Sequence, residues 1–148
     1  MTLTEALELR KGRQLVFTNG VFDILHAGHV RYLREAHELG DLLIVGVNSD
    51  ESVRRLSKGP TRPINALEDR IAVIEALRWV DGAVSFEEDT PEATIAVLKP
   101  EIHVKGGDYQ ADEMPETKLV RSYGGEVVIL PLLKGRSTTV ILKRLGEE

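Results

Sequence analysis

Two histidines, His26 and His29, stand three residues apart with Gly28 between them. The apolar run 14–18 precedes them, and the helix-like run 30–36 follows. This order of strand, tight turn and helix N-terminus favours phosphate binding, because backbone N–H groups at the helix start face the anion and the imidazoles add donors. The same donors suit the charge that builds on a phosphorus centre under attack. No further Cys, His or carboxylate cluster completes a metal site around the pair, so we predict phosphate chemistry.

A second set of candidates is basic and lies in or just after the Gly/Pro-rich loop 58–63. Lys58 and Arg62 flank its glycine and prolines, and Arg70 follows in the next predicted helix. Long cations on such a loop can close over a polyphosphate and pair with it. The alternative is a solvated charged surface, and we favour a functional role for Lys58 and Arg62.

Other turns carry glycines or small polar residues. Gly20 would let a ligand approach the backbone, although a plain turn glycine is an equal alternative. Asp23 could orient the first turn or bind a ligand through magnesium, and we favour the orienting role. The two glycines of the turn 105–108 suggest that a flat group approaches there, and a simple turn is the alternative. The segment 137–139 can cap a helix and also direct hydroxyl and amide donors at phosphate.

The composition limits the classes of protein to which the chain can belong. The chain has 148 residues, of which 42% are hydrophobic and 29% charged, as expected for one soluble globular domain. A net charge of -5 argues against a nucleic-acid-coating role, because polyanion binding requires a basic surface. The absence of cysteine excludes disulfides and thiolate metal sites. No apolar run reaches membrane-spanning length and the first residues do not resemble a signal peptide, so we expect a cytoplasmic protein that binds neither nucleic acid nor membrane.

Apolar strands alternate with helical segments along the whole chain. Strands are predicted at 15–18, 41–47, 83–86, 102–104 and 126–130. Helices are predicted at 4–11, 29–39, 50–57, 65–80, 90–99, 116–123 and 137–145. We expect Asn65 to cap the fourth helix and Trp79 to lie in the core. The alternation predicts a parallel α/β sheet with right-handed crossovers, in one domain over 1–148 that begins with a helix inside 1–12.

The polar turns follow four of the predicted strands. They are 20–29, 48–50, 105–108 and 135–139. Ligands of open parallel sheets bind at the carboxyl ends of the strands. Because all four turns would lie at that edge, we predict one shared site there.

Together these residues resemble the H-x-G-H cytidylyltransferase-like nucleotidyltransferases. The segment 18–29 matches the first motif of that family, and 135–139 matches its late Gly-x-Ser-Thr motif. The resemblance extends over almost the whole chain. It implies an α/β, Rossmann-like three-layer sandwich whose five parallel strands have the order 3-2-1-4-5.

The resemblance also implies a reaction and a set of site residues. A sugar phosphate attacks the α-phosphorus of a nucleoside triphosphate, and Mg²⁺ bound with ATP offsets the charge of the leaving pyrophosphate. The implied catalytic residues are His26, His29 and Lys58, and Arg62 and Arg70 would hold the substrate phosphate. No protein ligand for a metal is assigned. The implied nucleotide-binding residues are Asn19, Gly20, Val21, Phe22, His26, His29, Lys105, Gly106, Asp108, Ser137, Thr138 and Thr139.

A narrower similarity points to the adenylyltransferases of bacterial ADP-heptose synthesis. It is carried by 62–65, 85–91 and 104–109. It implies transfer of AMP from ATP to D-glycero-β-D-manno-heptose 1-phosphate, which gives ADP-heptose and pyrophosphate. Relatives often pair, so we expect a homodimer in which the helix 71–80 could supply the contact.

Two alternatives stay open. Glycerol-3-phosphate cytidylyltransferases usually carry an arginine three residues before the late-motif glycine, where this chain has Leu132, and read Gly-Asp-Asp-Trp at 106–109. The segment 78–81, in contrast, is similar to their pattern. The other alternative is a non-catalytic nucleotide-binding module on the same fold, against which the intact His26 and His29 argue.

Overall fold

The sheet is built from five strands joined by helical crossovers. The computed structural model describes residues 1–56, 59–107 and 109–146. The strands are β1 (Leu15–Gly20), β2 (Leu42–Asn48), β3 (Gly82–Phe86), β4 (Ile102–Gly106) and β5 (Glu126–Leu130). The helices are α1 (Leu3–Leu9), α2 (Ala27–His37), α3 (Asp50–Arg55), α4 (Leu67–Glu75), α5 (Glu92–Leu98), α6 (Pro115–Ser122) and α7 (Thr138–Arg144), and a short 3₁₀-helix spans Ala111–Glu113.

The strand order is β3-β2-β1-β4-β5, and every pairing between neighbouring strands is parallel. The predicted fold class and strand order are therefore confirmed. β2 is buried at every position, as a strand covered on both faces by helices should be. β1 and β4 each run two residues past their predicted ends, which carries Gly20 and Gly106 to the carboxyl edge.

Two hydrophobic cores lie on the two faces of the sheet, because successive strand side chains point in opposite directions. Val16 packs into one core together with Leu33 of α2. Leu15 and Phe17 enter the other, together with Ile95 of α5. Burial of each such side chain contributes about 1.5–3 kcal/mol, so the two cores fix the strands that carry the polar edge.

Two local predictions around α4 are wrong. Asn65 does not cap the helix: Ala66 holds that position without a side-chain hydrogen bond, and the Asn65 Nδ2 donates to the Asp23 carbonyl oxygen at 2.6 Å. The tertiary hydrogen bond replaces the local one. Trp79 lies beyond the end of α4 and is only half-buried, with the guanidinium carbons of Arg34 and Arg78 5.6 Å and 5.9 Å from its ring centroid. The cation–π contacts keep it at the surface, outside the core.

A cleft of about 550 Å³ opens at the carboxyl edge of the sheet. The turns after β1, β2, β4 and β5 all contribute to its lining, as the predicted convergence requires. Of the helices in the described ranges, none combines the length and apolar character needed to span a membrane.

Candidate active site

The cleft brings together most of the residues singled out from the sequence. Its lining includes Asn19, Gly20, Val21, Phe22, His26, His29, Arg62, Lys105, Gly106, Ser137, Thr138 and Thr139. Lys58 and Asp108 lie outside the described residues. Arg70 does not line the cleft.

The two imidazoles are held by the first turn of α2. His26 is the N-cap residue, and its Nδ1 accepts a hydrogen bond from the Gly28 backbone N–H at 3.1 Å. The His29 Nδ1 accepts in turn from the His26 backbone N–H at 3.3 Å. The rings stack with their centroids 3.9 Å apart. Each ring is thus anchored through Nδ1, by backbone donors that a helix start leaves without intrahelical partners.

This anchoring fixes the tautomer of both histidines. A nitrogen that accepts a hydrogen bond carries no proton, so the proton of each neutral ring is on Nε2. Burial, together with the neighbouring His26, lowers the pKa of His29 to about 4. Burial also lowers the pKa of His26, as does the charge of Arg136. At neutral pH the pair therefore presents two uncharged Nε2–H donors.

Gly28 is required by the ring that folds over it. A Cβ at this position would lie 2.8 Å from Cε1 and 2.9 Å from Nδ1 of His26, closer than real Cβ atoms approach. The glycine between the histidines therefore lets the His26 ring reach its own helix start.

Phe22 supports His29 from the other side. Its ring centroid lies 5.3 Å from that of His29, and its φ of 50° is in the left-handed region that a bulky residue rarely adopts. The same ring covers Gly20, whose Cβ would meet it at 3.0 Å. The glycine at the end of β1 thus accommodates an aromatic side chain of the protein itself.

Asp23 ties the first turn to the loop that carries Arg62. Its fully buried carboxylate accepts from the Arg62 Nε at 2.9 Å and from the backbone N–H groups of Ile64 and Asn65 at 2.9 Å. These donors match the orienting role favoured from the sequence. Through this contact Arg62 is positioned on the wall of the cleft.

Arg70 is placed differently from its predicted role at a substrate phosphate. It is 1% exposed, and its guanidinium donates to the carbonyl oxygens of Asn65, Val21 and Asn48 at 2.8–3.0 Å. A fourth bond, at 2.7 Å, goes to the Asp50 carboxylate. Because its donors are used to join the ends of β1 and β2 to α4, Arg70 supports the cleft from behind.

The turn after β4 forms an apolar corner of the cleft. A Cβ on Gly106 would meet Leu132 at 2.9 Å and Tyr32 at 3.0 Å, so both side chains lie over this glycine. Leu132 is 58% exposed and Tyr109 is 52% exposed, both in the cleft lining. The Lys105 ammonium lies 5.3 Å from the Tyr109 ring centroid. An exposed apolar corner beside a cation suits a flat heterocycle joined to an anion.

The start of α7 lies beside the histidine turn and completes this wall of the cleft. The Ser137 hydroxyl caps the helix by accepting from the Val140 N–H at 3.0 Å. The Thr138 hydroxyl donates to the Ile24 carbonyl oxygen at 2.9 Å, which fixes α7 against the first turn. Thr139 is exposed in the lining. The hydroxyls of Ser137 and Thr138 are thus used in bonds within the protein. The Thr139 hydroxyl faces the cleft and has no hydrogen-bond partner among the described residues.

Sequence reasoning missed several lining residues. They are Tyr32, Leu56, Asp89, Tyr109 and Leu133, whereas Asn48 and Arg136 were expected at the site only as members of the turns 48–50 and 135–139. For Arg136 a signal was available, because it lies inside the late motif that the sequence analysis used. For Tyr32 no such signal was available in the sequence, since its position on α2 is typical of a core residue.

The described residues contain no group of three or more His, Asp or Glu that could hold a metal ion. Among the described residues, two carboxylates line the cleft and both have partners: Asp23 binds Arg62, and Asp89 pairs with Arg55 at 2.9 Å. The site is therefore one of N–H donors, hydroxyls and cations, which is the chemistry of anion binding.

The fold and this donor set define a nucleotidyltransferase. A family model described as cytidylyltransferase-like matches residues 17–142, and the chain belongs to that family. This membership confirms the resemblance drawn from the two motifs.

Among curated relatives, the chain is 56% identical to a D-beta-D-heptose 1-phosphate adenylyltransferase of Bordetella bronchiseptica, over 93% of this chain and 85% of that protein. It is 53% identical to the bifunctional protein HldE of Alcanivorax borkumensis, over 93% of this chain and 29% of that protein. The chain thus spans less than a third of this bifunctional relative.

Solved structures show the same fold. The crystal structure of a lipopolysaccharide core biosynthesis protein from Thermoplasma volcanium matches with a TM-score of 0.68 and 35% identity, over 84% of this chain and all of that one. A pantoate-beta-alanine ligase from Francisella tularensis matches with a TM-score of 0.56 at 14% identity, over 93% of this chain and 67% of that one. The second likeness concerns the fold alone.

Proposed function

We propose that this chain transfers AMP from ATP to D-glycero-β-D-manno-heptose 1-phosphate and releases pyrophosphate. The observation that carries the proposal is the pair of neutral Nε2–H donors of His26 and His29, held in a cleft with Arg62, Lys105 and Arg136. The 56% identity to a heptose 1-phosphate adenylyltransferase supports the choice of both substrates.

The reaction is a displacement at phosphorus. An oxygen of the sugar phosphate forms a bond to the α-phosphorus of ATP, and the bond from that phosphorus to the bridging oxygen of the β-phosphate breaks. Pyrophosphate leaves with the electron pair. A phosphate monoester has a second pKa of about 6 and is already deprotonated at neutral pH, so no general base is needed. The imidazoles then serve as donors to the phosphate oxygens on which charge develops.

The cleft offers different chemistry at its two ends. At the end near β4 and β5, Leu132 and Tyr109 form the apolar corner beside Lys105, which suits the nucleoside. At the end near β2 the lining is polar: the Asn48 Nδ2 donates to the Ser52 hydroxyl at 3.0 Å and the Arg62 Nε donates to Asp23, and we assign this end to the hydroxylated sugar phosphate. The histidines lie between the two ends, where the phosphates of both substrates would meet.

The cleft groups that the structure describes do not fit magnesium as a resident ion. The Asp23 carboxylate is buried and accepts from Arg62 and two backbone N–H groups, which leaves it unsuited to coordinate a cation. We propose that Mg²⁺ enters with ATP, bound to its phosphate oxygens, and offsets the charge of the pyrophosphate.

The alternative of a CTP-dependent enzyme is less well supported. The residues similar to cytidylyltransferases, 78–81, do not contribute to the lining of the cleft, whereas Leu132 does. A leucine where those enzymes carry arginine removes a cation from the nucleotide end.

A substrate panel tests the proposal. Purified protein receives ATP, CTP, GTP or UTP, each with the heptose 1-phosphate or with glycerol 3-phosphate, and pyrophosphate release is measured. We expect release with ATP and the heptose 1-phosphate, and a large loss in His29→Ala. Release only with CTP and glycerol 3-phosphate would overturn the assignment. Nucleotide binding without turnover in any pair would favour the non-catalytic module.

Two further proposals concern the setting of the enzyme. We propose that two copies pair through α4, where Val73 is 50% exposed, and sedimentation of the wild type and Val73→Glu would test this.

A cytoplasmic location is proposed because ATP, the nucleotide substrate, is made there.

A further inference from the structure

The amide of Asn48, at the carboxyl end of β2, is held in one orientation by two linked hydrogen bonds. The Ser52 hydroxyl donates its only proton to the Glu88 carbonyl oxygen at 3.0 Å. Because that proton is used, the hydroxyl can only accept from the Asn48 amide, whose Nδ2 lies 3.0 Å away. The nitrogen of the amide therefore faces Ser52, and its oxygen, Oδ1, faces away from it.

The Asn48 Oδ1 is an acceptor that receives no hydrogen bond from any residue in the described ranges. Asn48 lines the cleft, and although the residue is only 3% exposed, its Oδ1 retains solvent-accessible surface. The amide thus keeps its acceptor for a group that enters the cleft.

Asp89 adds a second acceptor to the lining of the cleft. Its Oδ1 accepts from the Arg55 Nε at 2.9 Å, and its Oδ2 has no hydrogen-bond partner in the part of the chain that the structure describes. The Arg55 guanidinium also donates to the Glu87 carbonyl oxygen. Since Ser52 binds the residue between these two, α3 holds the loop 87–89 at three consecutive residues. The two acceptors therefore belong to one connected structure.

These two oxygens have the opposite chemistry to the rest of the cleft. The imidazole N–H groups and the cations suit phosphate, whereas an amide oxygen and a carboxylate oxygen repel it. Such oxygens pair with hydroxyl groups, which donate a proton and carry no charge. A ligand made of phosphate alone would use only the donors, and a ligand that also carries hydroxyls would use both sets.

We propose that the Asn48 Oδ1 and the Asp89 carboxylate accept hydrogen bonds from hydroxyl groups of the acceptor substrate. They make the enzyme selective for a polyhydroxylated phosphate ester. Ser52 and Arg55 are positioning residues, since they hold the two acceptors and neither of them lines the cleft. The inference rests on the proposed function for its sugar phosphate and adds the residues that recognise the sugar.

Calorimetric titration of heptose 1-phosphate tests the proposal, with α,β-methylene-ATP present because its carbon bridge blocks transfer. Asp89→Asn keeps the shape of the side chain and removes its charge at a position that is 67% exposed, so folding is not at risk. Asn48→Leu removes the buried acceptor at similar volume. The matched control is Asp112→Asn, which removes an exposed carboxylate, paired with Arg121 at 2.5 Å, outside the cleft lining.

We expect Asp89→Asn to weaken binding of the heptose 1-phosphate about 10-fold, as is usual when a charge-assisted hydrogen bond is lost. Asn48→Leu should weaken it about 3- to 10-fold, because the bond that it loses is neutral. Neither variant should weaken binding of α,β-methylene-ATP by more than about twofold, and Asp112→Asn should bind both ligands like the wild type.

The sign of the Asp89→Asn effect separates a hydroxyl contact from a general effect of charge. Removing a negative charge from the cleft reduces the repulsion of any phosphate, so charge alone predicts tighter binding of both ligands. A loss confined to the sugar phosphate therefore reports the contact with its hydroxyls.

Wild-type affinity for heptose 1-phosphate in either folded variant would overturn the proposal, as would equal losses for both ligands. If the substrate panel shows release with the wild type and the variants bind alike, the proposed reaction stands and this inference fails. If sugar-specific losses are found without any release, the reaction is wrong and the two acceptors stand. A wild type that does not bind the heptose 1-phosphate would overturn both.

Discussion

His26 and His29 at the cleft, and His103 inside the sheet, place the same side chain in two contrasting environments. The cleft histidines each use Nδ1 to accept a backbone N–H, and Nε2 makes no hydrogen bond to any residue in the described ranges. His103 is 0% exposed, with Nδ1 3.3 Å from the Phe17 carbonyl oxygen and Nε2 3.2 Å from a Glu116 carboxylate oxygen. One pair retains a donor for a ligand, and the third ring is enclosed by the protein.

The difference shows what makes a histidine available for chemistry. Burial raises the pKa of Glu116, but its hydrogen bond with His103 and a backbone bond lower it below the usual value. The His103–Glu116 contact joins β4 to α6 and thereby supports the turn that carries Lys105. The same hydrogen-bonding capacity therefore serves packing in the core and binding at the cleft.

The largest effect should come from breaking the core pair. His103→Leu leaves the Glu116 carboxylate buried without its partner, which typically costs about 3–5 kcal/mol. We expect a loss of that size in the free energy of unfolding, measured by urea denaturation at pH 7.5. The double variant His103→Leu with Glu116→Leu should recover most of the loss, because neither polar group then stays buried alone. A loss below about 1 kcal/mol in the single variant would show that the pair does not support the core.

The next effect concerns rate rather than stability. His29→Ala removes one Nε2–H donor from the cleft, and loss of one preorganised donor at a developing oxyanion costs about 10²–10³ in kcat. Steady-state pyrophosphate release measures this, with urea denaturation to show that the variant is folded. His37→Ala, which removes a histidine outside the cleft lining, is the control and should keep its kcat within about twofold. If His29→Ala had the same kcat as the wild type, the cleft histidine would have no catalytic role, and this difference from His103 would disappear.

Much of the difference between the cleft histidines and His103 could be predicted from the sequence, because the cleft site depends on residues that are close together in the chain. The spacing of His26, Gly28 and His29 between a strand and a helix identifies the anion site, since a helix start always exposes N–H groups. The alternation of apolar strands and helices likewise predicts the parallel sheet and the shared edge of its turns.

The remaining features depend on contacts between distant segments. Arg70 follows a basic loop and was expected at a phosphate, but it meets the carbonyl oxygens of Val21 and Asn48, which are far away in sequence. His103 lies in the strand predicted at 102–104, yet its bond to Glu116 depends on how α6 packs against β4. No periodicity or motif encodes which buried polar group a side chain will meet.

A smaller effect should follow from displacing a cleft ring without removing it. In Gly28→Ala the new methyl group would overlap His26 Cε1 and Nδ1, so the ring must move and its bond to the residue 28 N–H is lost. We expect kcat/KM to fall about 10- to 100-fold, because misplacement by about 1 Å can cost 10²-fold. The exposed neighbour provides the control: Ala27→Ser should stay within about twofold of the wild type. Full activity in Gly28→Ala would mean that the position of the His26 ring is unimportant.

The smallest expected effect is the contribution of His29 to the pH dependence of the free energy of unfolding, which can be measured separately from that of the core residues. The pKa of His29 is about 4 in the folded protein and 6.5 in the unfolded chain, so the unfolded chain binds more protons between these values. Stability from this residue is therefore complete above pH 6.5 and is lost as the pH falls toward 4.

The wild type should lose about 1.4 kcal/mol more than His29→Gln between pH 7.5 and pH 5.5, measured by urea denaturation at both pH values. Both proteins share the titrations of the core, so subtracting the two curves isolates the cleft ring. Parallel curves would mean that His29 titrates alike in the folded and unfolded chains. That result would contradict the neutral Nε2–H donor on which the proposed chemistry depends, because a ring with an ordinary pKa would be partly charged near neutral pH.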